Sequence, residues 1–153
     1  MQIRPFTRSD TDAVIALWHE VGLTRPWNDP AADIERKLTT QPELFLVAEE
    51  PGVVIGTAMV GYDGHRGWVH YLAVSPDQQG GGLGRVLMEE AERLLIELGC
   101  PKINLMVRTG NDRVIGFYEA LGYGTDGYGE RAELRKRAPE FVTTGLQVQP
   151  TLF

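Results

Sequence analysis

The sequence predicts a single domain of the α/β (α+β) class, and three observations lead to this prediction. Short runs rich in β-branched and aromatic residues, such as Trp68 to Val74, predict strands. Longer runs in which apolar residues recur at helical spacing, such as Leu83 to Leu98, predict helices. The chain has 153 residues, which suits one domain whose core needs no disulfide or metal.

The first half of the chain alternates between strand and helix patterns. Residues 2 to 6 predict a strand, and Ser9 in an S-x-x-D pattern predicts the capped start of an amphipathic helix. Asp29 as N-cap and Pro30 at the first helical position predict a second helix that runs to about residue 40.

An antiparallel hairpin follows, with strands at Leu44 to Glu49 and Val53 to Tyr62 joined by a Glu-Pro-Gly turn. The later predicted elements are a strand at residues 68 to 74, a helix at 83 to 98, a strand at 102 to 107, a helix after Asn111, and strands at 123 to 127 and 130 to 137. Residues 138 to 153 are predicted to form an extension that is too apolar for a solvated tail. It would cover a groove or contact a second subunit, so a homodimer stays open.

Composition excludes several classes of function. Apolar residues make up 42% of the chain and none of their runs could cross a bilayer, so no membrane partner is expected. A net charge of −6 argues against nucleic acid as a partner, and would modestly attract a cationic amine. The only cysteine, Cys100, is expected to be structural, and the N-terminus lacks the pattern of a secretory signal, so a cytoplasmic location is predicted. The histidines show no metal-ligand spacing, which predicts no metal.

The most informative segment is the glycine-rich run from Asp77 to Arg85, between a predicted strand and a predicted helix. Glycines let the main chain approach a ligand closely, and the first N–H groups of a helix favour an anion. The Rossmann pattern G-x-G-x-x-G fails here, because Arg85 or Leu87 stands where its last glycine is needed. The P-loop pattern ends in Gly, Lys and then Ser or Thr. It fails here because Arg85 and Val86 follow Gly84.

The pattern that fits is Q-x-x-G-x-G, supplied by Gln79, Gly82 and Gly84. It resembles the pyrophosphate loop of the GNAT superfamily of acyl-CoA-dependent N-acetyltransferases. The segment from Asn111 to Tyr123 resembles a second landmark of that family, N-x-x-[AV]-x-x-F-Y-x-x-x-G-[FY]. The resemblance covers residues 1 to 137, the predicted acetyltransferase domain, and is closest to the YpeA-like acetyltransferases.

This resemblance implies a mixed, mostly antiparallel sheet of six or seven strands flanked by about four helices, with splayed central strands. It implies acetyl-CoA as cosubstrate and an amine acceptor, either a small molecule or a peptide. The residues expected to bind the coenzyme are Leu72, Ala73, Val74, Gln79, Gly80, Gly81, Gly82, Leu83, Gly84, Arg85, Asn111 and Tyr118.

The family places its general acid at the position of Tyr118, where a phenol with a pKa near 10 would protonate a thiolate whose pKa is about 8.5. A role as a core aromatic stays open for Tyr118, and Asn111 also suits a helix N-cap. The oxyanion is expected to meet a strand N–H group at Ala73 or Val74, because family members use a bulged strand there.

No motif fixes the general base. His70 is a candidate, although a lone strand histidine also suits a structural role. The residues expected at the acceptor site are Arg25, Trp27, Asn28, Asp29, Tyr62 and His65. The function implied is direct acetyl transfer to a primary amine, and the alternative is a regulatory acyl-CoA-binding module without turnover.

Overall fold

The computed structural model describes residues 1–108, 110–128 and 131–137, which form a seven-stranded mixed sheet. Its strands are β1 (Gln2–Pro5), β2 (Phe45–Glu50), β3 (Val53–Tyr62), β4 (Gly67–Val74), β5 (Lys102–Arg108), β6 (Gly124–Tyr128) and β7 (Arg131–Arg137). Their order in the sheet is β1-β2-β3-β4-β5-β7-β6. The helices are α1 (Thr11–Glu20), α2 (Pro30–Leu38), α3 (Leu83–Glu97) and α4 (Asp112–Ala120). The predicted fold class is confirmed, and the predicted extension at residues 138 to 153 lies outside the described residues.

The start of α2 is the predicted one, and the start of α1 is not. The Asp29 carboxylate accepts the N–H of Ala32 at 3.1 Å, as expected of an N-cap. The cap predicted at Ser9 is wrong, because a 3-10 turn at Arg8–Asp10 precedes α1 and its cap is Thr7. Asp10 accepts the Thr7 N–H at 2.8 Å and is itself held by two hydrogen bonds from Arg4, at 2.8 and 2.9 Å.

The described chain divides into two compact units. The first consists of residues 1–61 and 70–91. Its core contains three stacked aromatic contacts: Phe6 on Phe45 at 4.4 Å between ring centroids, Phe45 on Trp18 at 6.1 Å, and Trp18 on Tyr71 at 3.7 Å. Trp18 and Phe45 have no solvent exposure, and burying a large apolar side chain stabilises the fold by roughly 1.5–3 kcal/mol.

The second unit consists of residues 62–69 and the described residues from 92 onwards. In it β5 pairs with β7 in antiparallel register, with Leu105 opposite Leu134. The parallel pairing of β4 with β5 involves two residue pairs, Gly67 with Ile103 and Trp68 with Asn104. So short a register fits the expected splay of the central strands.

A buried ion pair lies in the second unit. The Lys136 ammonium is 3.2 Å from the Glu92 carboxylate and donates to the Leu121 carbonyl at 2.8 Å. The Tyr123 hydroxyl donates to the same Glu92 oxygen at 2.9 Å. Cys100 is buried too, and burial raises the pKa of its thiol, which agrees with the structural role expected of it.

Candidate active site

The glycine-rich loop before α3 has a backbone that only glycine adopts readily. Gly80 and Gly82 have φ angles of +86° and +85°. A Cβ at either position would meet no protein atom within 4 Å. The backbone angles, and not crowding within the protein, therefore require glycine, and the open space is what a ligand needs to approach the main chain.

Helix α3 begins directly after this loop. The Val86 N–H bonds to the Gly82 carbonyl at 3.1 Å, so the preceding N–H groups of Leu83, Gly84 and Arg85 have no acceptor within the helix. These groups and the helix dipole favour an anion. The loop residues thus fit the diphosphate of coenzyme A.

Two side chains predicted to bind the coenzyme have protein contacts as well. The Gln79 amide donates to the Val74 carbonyl at 3.1 Å, which ties the loop to the end of β4. The Arg85 guanidinium is 56% exposed and lies 3.9 Å from the Glu89 carboxylate. An exposed pair at that distance is weak, so Arg85 could turn to a phosphate at little cost.

Strand β4 has a local left-handed conformation at Tyr71, whose φ angle is +50°. This conformation costs a non-glycine residue roughly 1–2 kcal/mol, and the surrounding contacts stabilise it. The Tyr71 carbonyl accepts the Thr57 hydroxyl at 2.8 Å, and that hydroxyl accepts the Trp18 indole N–H at 2.9 Å. The Tyr71 hydroxyl donates to Asp33 at 2.6 Å. Tyr71 is therefore held at both ends, directly before the predicted contacts Leu72, Ala73 and Val74.

A cleft of about 570 Å³ opens beside Tyr71, and we call it the α2 cleft. Its size suits a small ligand or the end of a peptide. Its apolar lining is Leu23 and Met59 with the ring of Tyr71, and its polar lining is Asn28, Asp33, Arg36, Lys37, Thr40 and His70.

Two of the groups that line this cleft, His70 and Lys37, have lowered pKa values. Loss of water around the imidazole lowers the pKa of His70, the nearby Lys37 ammonium lowers it further, and Asp33 opposes both. Burial also lowers the pKa of Lys37, against a smaller opposing effect of Glu43. His70 is therefore neutral at pH 7, in the form that can accept a proton.

The four residues between α1 and α2 that were predicted to bind the acceptor have different surroundings in the structure. Asn28 lines the cleft. Asp29 caps α2, and the Arg25 guanidinium donates to the carbonyls of Gly22 and Thr24 at 2.7 and 2.9 Å. Trp27 is 72% exposed. Ligand-binding roles for all four stay predictions, with the cleft position favouring Asn28.

Tyr62 and His65 belong to the second unit, where they flank a turn. The Asp63 carboxylate accepts the N–H groups of His65 and Arg66 at 2.8 and 2.7 Å. These bonds hold the pKa of Asp63 below its usual range and define a local turn. Acceptor binding by Tyr62 and His65 remains a prediction.

Tyr118 and Asn111 also belong to the second unit, on and before α4. Tyr118 is buried, with its ring edge-on to Phe117 and Tyr123. Burial raises the pKa of Tyr118 above 10. The difference between its pKa and that of a thiol is therefore larger than it would be for a free phenol. Asn111 occupies the N-cap position of α4, and its side chain makes no capping hydrogen bond.

Sequence reasoning missed seven of the residues that line the cleft: Leu23, Asp33, Arg36, Lys37, Thr40, Met59 and Tyr71. Asp33, Arg36, Lys37 and Thr40 recur at helical spacing, which is the signal that could have found them. A polar helix face of this kind usually faces solvent, so the pattern alone does not indicate a cleft.

Comparison with known proteins decides the family. A sequence profile described as the acetyltransferase (GNAT) family matches residues 12–123. The chain belongs to the GNAT acetyltransferase family. A protein named acetyltransferase from Yersinia enterocolitica is 56% identical over 125 residues, which span 82% of this chain and 89% of that protein.

Solved structures similar to this GNAT acetyltransferase share its fold. The crystal structure of Ard1 from Thermoplasma volcanium has a TM-score of 0.76 and 26% identity, covering 89% of this chain and 96% of that one. Naa20 from Chaetomium thermophilum, crystallised with a bisubstrate analogue, has a TM-score of 0.77 and 23% identity, covering 95% and 91%. This second likeness shows the fold alone.

Family membership makes the protein an acyltransferase with acetyl-CoA as cosubstrate. Within the described residues, no group of three or more His, Cys, Asp or Glu side chains could hold a metal ion. None of the helices described here has the length and apolar character needed to span a bilayer.

Proposed function

We propose that this protein transfers an acetyl group from acetyl-CoA to a primary amine of a small molecule or peptide that binds in the α2 cleft. The observation that carries the proposal is the left-handed backbone at Tyr71. It lies between the coenzyme loop and the cleft along the chain, and its own side chain lines the cleft.

On the donor side, the protein contributes mainly main-chain groups. The N–H groups of Leu83, Gly84 and Arg85 bind the diphosphate, and the backbone from Leu72 to Val74 binds the pantetheine arm. A strand N–H at Ala73 or Val74 stabilises the oxyanion as it forms. The left-handed residue Tyr71 just before them supports this role, because a local irregularity can leave strand groups without a partner in the sheet.

On the acceptor side, the cleft orients the amine and removes its proton. An alkylammonium has a pKa near 10, several units above the pKa of His70, and each unit corresponds to about 1.4 kcal/mol. His70 would therefore pass the proton on to water and not hold it. A neutral imidazole at the cleft suits this relay.

Tyr118 is proposed as the general acid that protonates the thiolate of coenzyme A. Because burial raises its pKa, the phenol is fully protonated at pH 7. The same shift makes complete proton transfer less favourable, so its main contribution is a hydrogen bond that strengthens as charge develops on sulfur.

The test is an amine-panel assay that follows thiol release from acetyl-CoA, with Tyr118→Phe alongside. We expect the variant to lose turnover by about 100-fold or more, with coenzyme affinity close to that of the wild type. Tyr123→Phe is the matched control, because it removes the hydroxyl of another buried tyrosine of the same unit. It should lower stability and keep turnover.

One outcome would contradict the role of Tyr118 alone, and another would contradict the proposed activity. Full activity of Tyr118→Phe would exclude Tyr118 as the general acid and would leave the proposed acetyl transfer unaffected. Tight coenzyme binding by the wild type without turnover of any amine would favour the alternative, a regulatory acyl-CoA-binding module.

A further inference from the structure

The α2 cleft is positively charged although the whole chain is acidic. Arg36 and Lys37 add two positive charges to its lining and Asp33 adds one negative charge, which leaves one positive charge when His70 is neutral. The formal net charge of the chain is −6. The sign of the cleft is thus opposite to that of the molecule, and the attraction of a simple cationic amine by overall charge does not extend to this site.

Asp33 is occupied by protein partners and is poorly placed to bind a cationic ligand. One carboxylate oxygen accepts the Tyr71 hydroxyl at 2.6 Å, and the other accepts a hydrogen bond from the Arg36 guanidinium. Asp33 therefore balances Arg36 and anchors Tyr71. The positive charge that remains in the lining is that of Lys37.

Lys37 is half-buried, and its ammonium has no ion-pair partner within 4.0 Å among the described residues. Its Nζ lies beside Gly61 at the end of β3, since a Cβ built on Gly61 would be 3.7 Å away. The Glu43 carboxylate acts on this ammonium from beyond ion-pair distance and offsets only part of the effect of burial. A partly desolvated cation without a close counter-ion is unfavourable. A ligand anion in the cleft would relieve this cost.

We infer that the amine acceptor carries a carboxylate close to its amino group, and that Lys37 binds this carboxylate. The inference rests on the proposed acetyl transfer in the α2 cleft. Leu23 and Met59 add an apolar surface to the lining, which suits an aliphatic portion of the same molecule. Free amino acids and peptides that begin with an acidic residue share this chemistry.

The test compares acceptors that differ only in the carboxylate. The first arm uses leucine and leucinamide, and the second uses peptides that begin with Asp and the same peptides beginning with Asn. One arm uses the kind of acceptor whose carboxylate binds Lys37. In that arm, kcat/KM for the acid should exceed kcat/KM for the neutral analogue by about tenfold or more. Amidation lowers the pKa of the neighbouring amine, so a preference for leucine cannot come from a larger neutral fraction.

Variants of Lys37 assign the preference to this residue. Lys37→Met keeps the aliphatic stem and should lower the ratio of acid to neutral analogue by about tenfold or more, with the KM for acetyl-CoA unchanged. Lys37→Arg should keep the preference. Arg8→Gln is the control, because it removes an exposed cation that lies outside the cleft lining and pairs with Glu35, and the ratio should not change.

The outcomes separate this inference from the proposed function. Equal rates for acids and neutral analogues would overturn the inference alone. So would an unchanged ratio in Lys37→Met, including an equal loss of rate on every acceptor. Failure of the wild type to acetylate any amine, acidic or neutral, while binding acetyl-CoA, would overturn the proposed function and this inference with it.

Discussion

The coenzyme loop and the α2 cleft lie in the same unit but are built from different parts of the chain. The loop uses consecutive main-chain groups, with two left-handed glycines and the first N–H groups of α3. The cleft uses side chains from α2, β3 and β4. A main-chain site keeps its chemistry through most substitutions that leave space for the ligand. A side-chain site changes its selectivity with a single residue, so donor and acceptor binding should respond differently to mutation.

The largest effect is expected for Gly82→Glu in the loop. Glutamate is strained at a φ of +85° and places bulk and negative charge against the diphosphate. We expect affinity for acetyl-CoA to fall by about 100-fold or more, measured by calorimetry.

Gly52→Glu is the matched control for this variant. Gly52 has a φ of +79°, has open space around it and lies in the turn between β2 and β3. The strain and charge are comparable, so stability should fall similarly while coenzyme affinity stays. Unchanged affinity in Gly82→Glu would contradict the role of the loop and the contrast drawn above.

The same contrast explains what the sequence could predict. The loop and the Asp29 cap depend on residues within a few positions of one another, and both were readable as patterns. The prediction that this loop binds the coenzyme rests on the spacing of Gln79, Gly82 and Gly84, on the strand and helix patterns beside them and on the family resemblance. The seven strands and four helices were placed within a few residues of their bounds for the same reason.

The cleft depends on contacts that no local pattern contains. The bond from Tyr71 to Asp33 joins residues 38 positions apart, and that from Trp18 to Thr57 joins residues 39 apart. The left-handed backbone of Tyr71 lies within an otherwise regular strand sequence. The wrong cap predicted for α1 has a local cause instead, because Thr7 with Asp10 three residues later forms the same kind of pattern as Ser9 with Asp12.

The second prediction concerns Thr57→Val, which tests how far side chains support the main chain of β4. The substitution removes the donor to the Tyr71 carbonyl and leaves the buried Trp18 N–H without its acceptor. We expect a loss of about 1–3 kcal/mol in the free energy of unfolding and a lower kcat, by denaturant titration and thiol release. Thr57→Ser keeps the hydroxyl and should retain most of both. Equal behaviour of the two variants would exclude the hydroxyl as the support.

A smaller effect is expected for Asp33→Asn, which makes the cleft more positive. The ratio of kcat/KM for an acid acceptor to that for its neutral analogue should rise by about threefold to tenfold. The ratio is the informative quantity, because a looser Tyr71 would slow both acceptors alike. Asp12→Asn removes an exposed carboxylate on α1 and should leave the ratio as it is. A falling ratio in Asp33→Asn would mean that this carboxylate, and not Lys37, governs acceptor charge.

The smallest effect is expected in the pH dependence of kcat/KM. The pKa of His70 is lowered, so its protonated, inactive form accumulates only below pH 6.5. Between pH 6.5 and the pKa of the amine, only the amine must lose a proton. Below pH 6.5 His70 must lose a proton too, so kcat/KM should fall more steeply with decreasing pH there. His70→Gln should remove the steeper limb, and Lys37→Met should move it to higher pH because a like charge no longer opposes protonation. A profile with the same steepness in wild type and His70→Gln would exclude His70 from the proton path and leave the cleft to orientation and charge recognition.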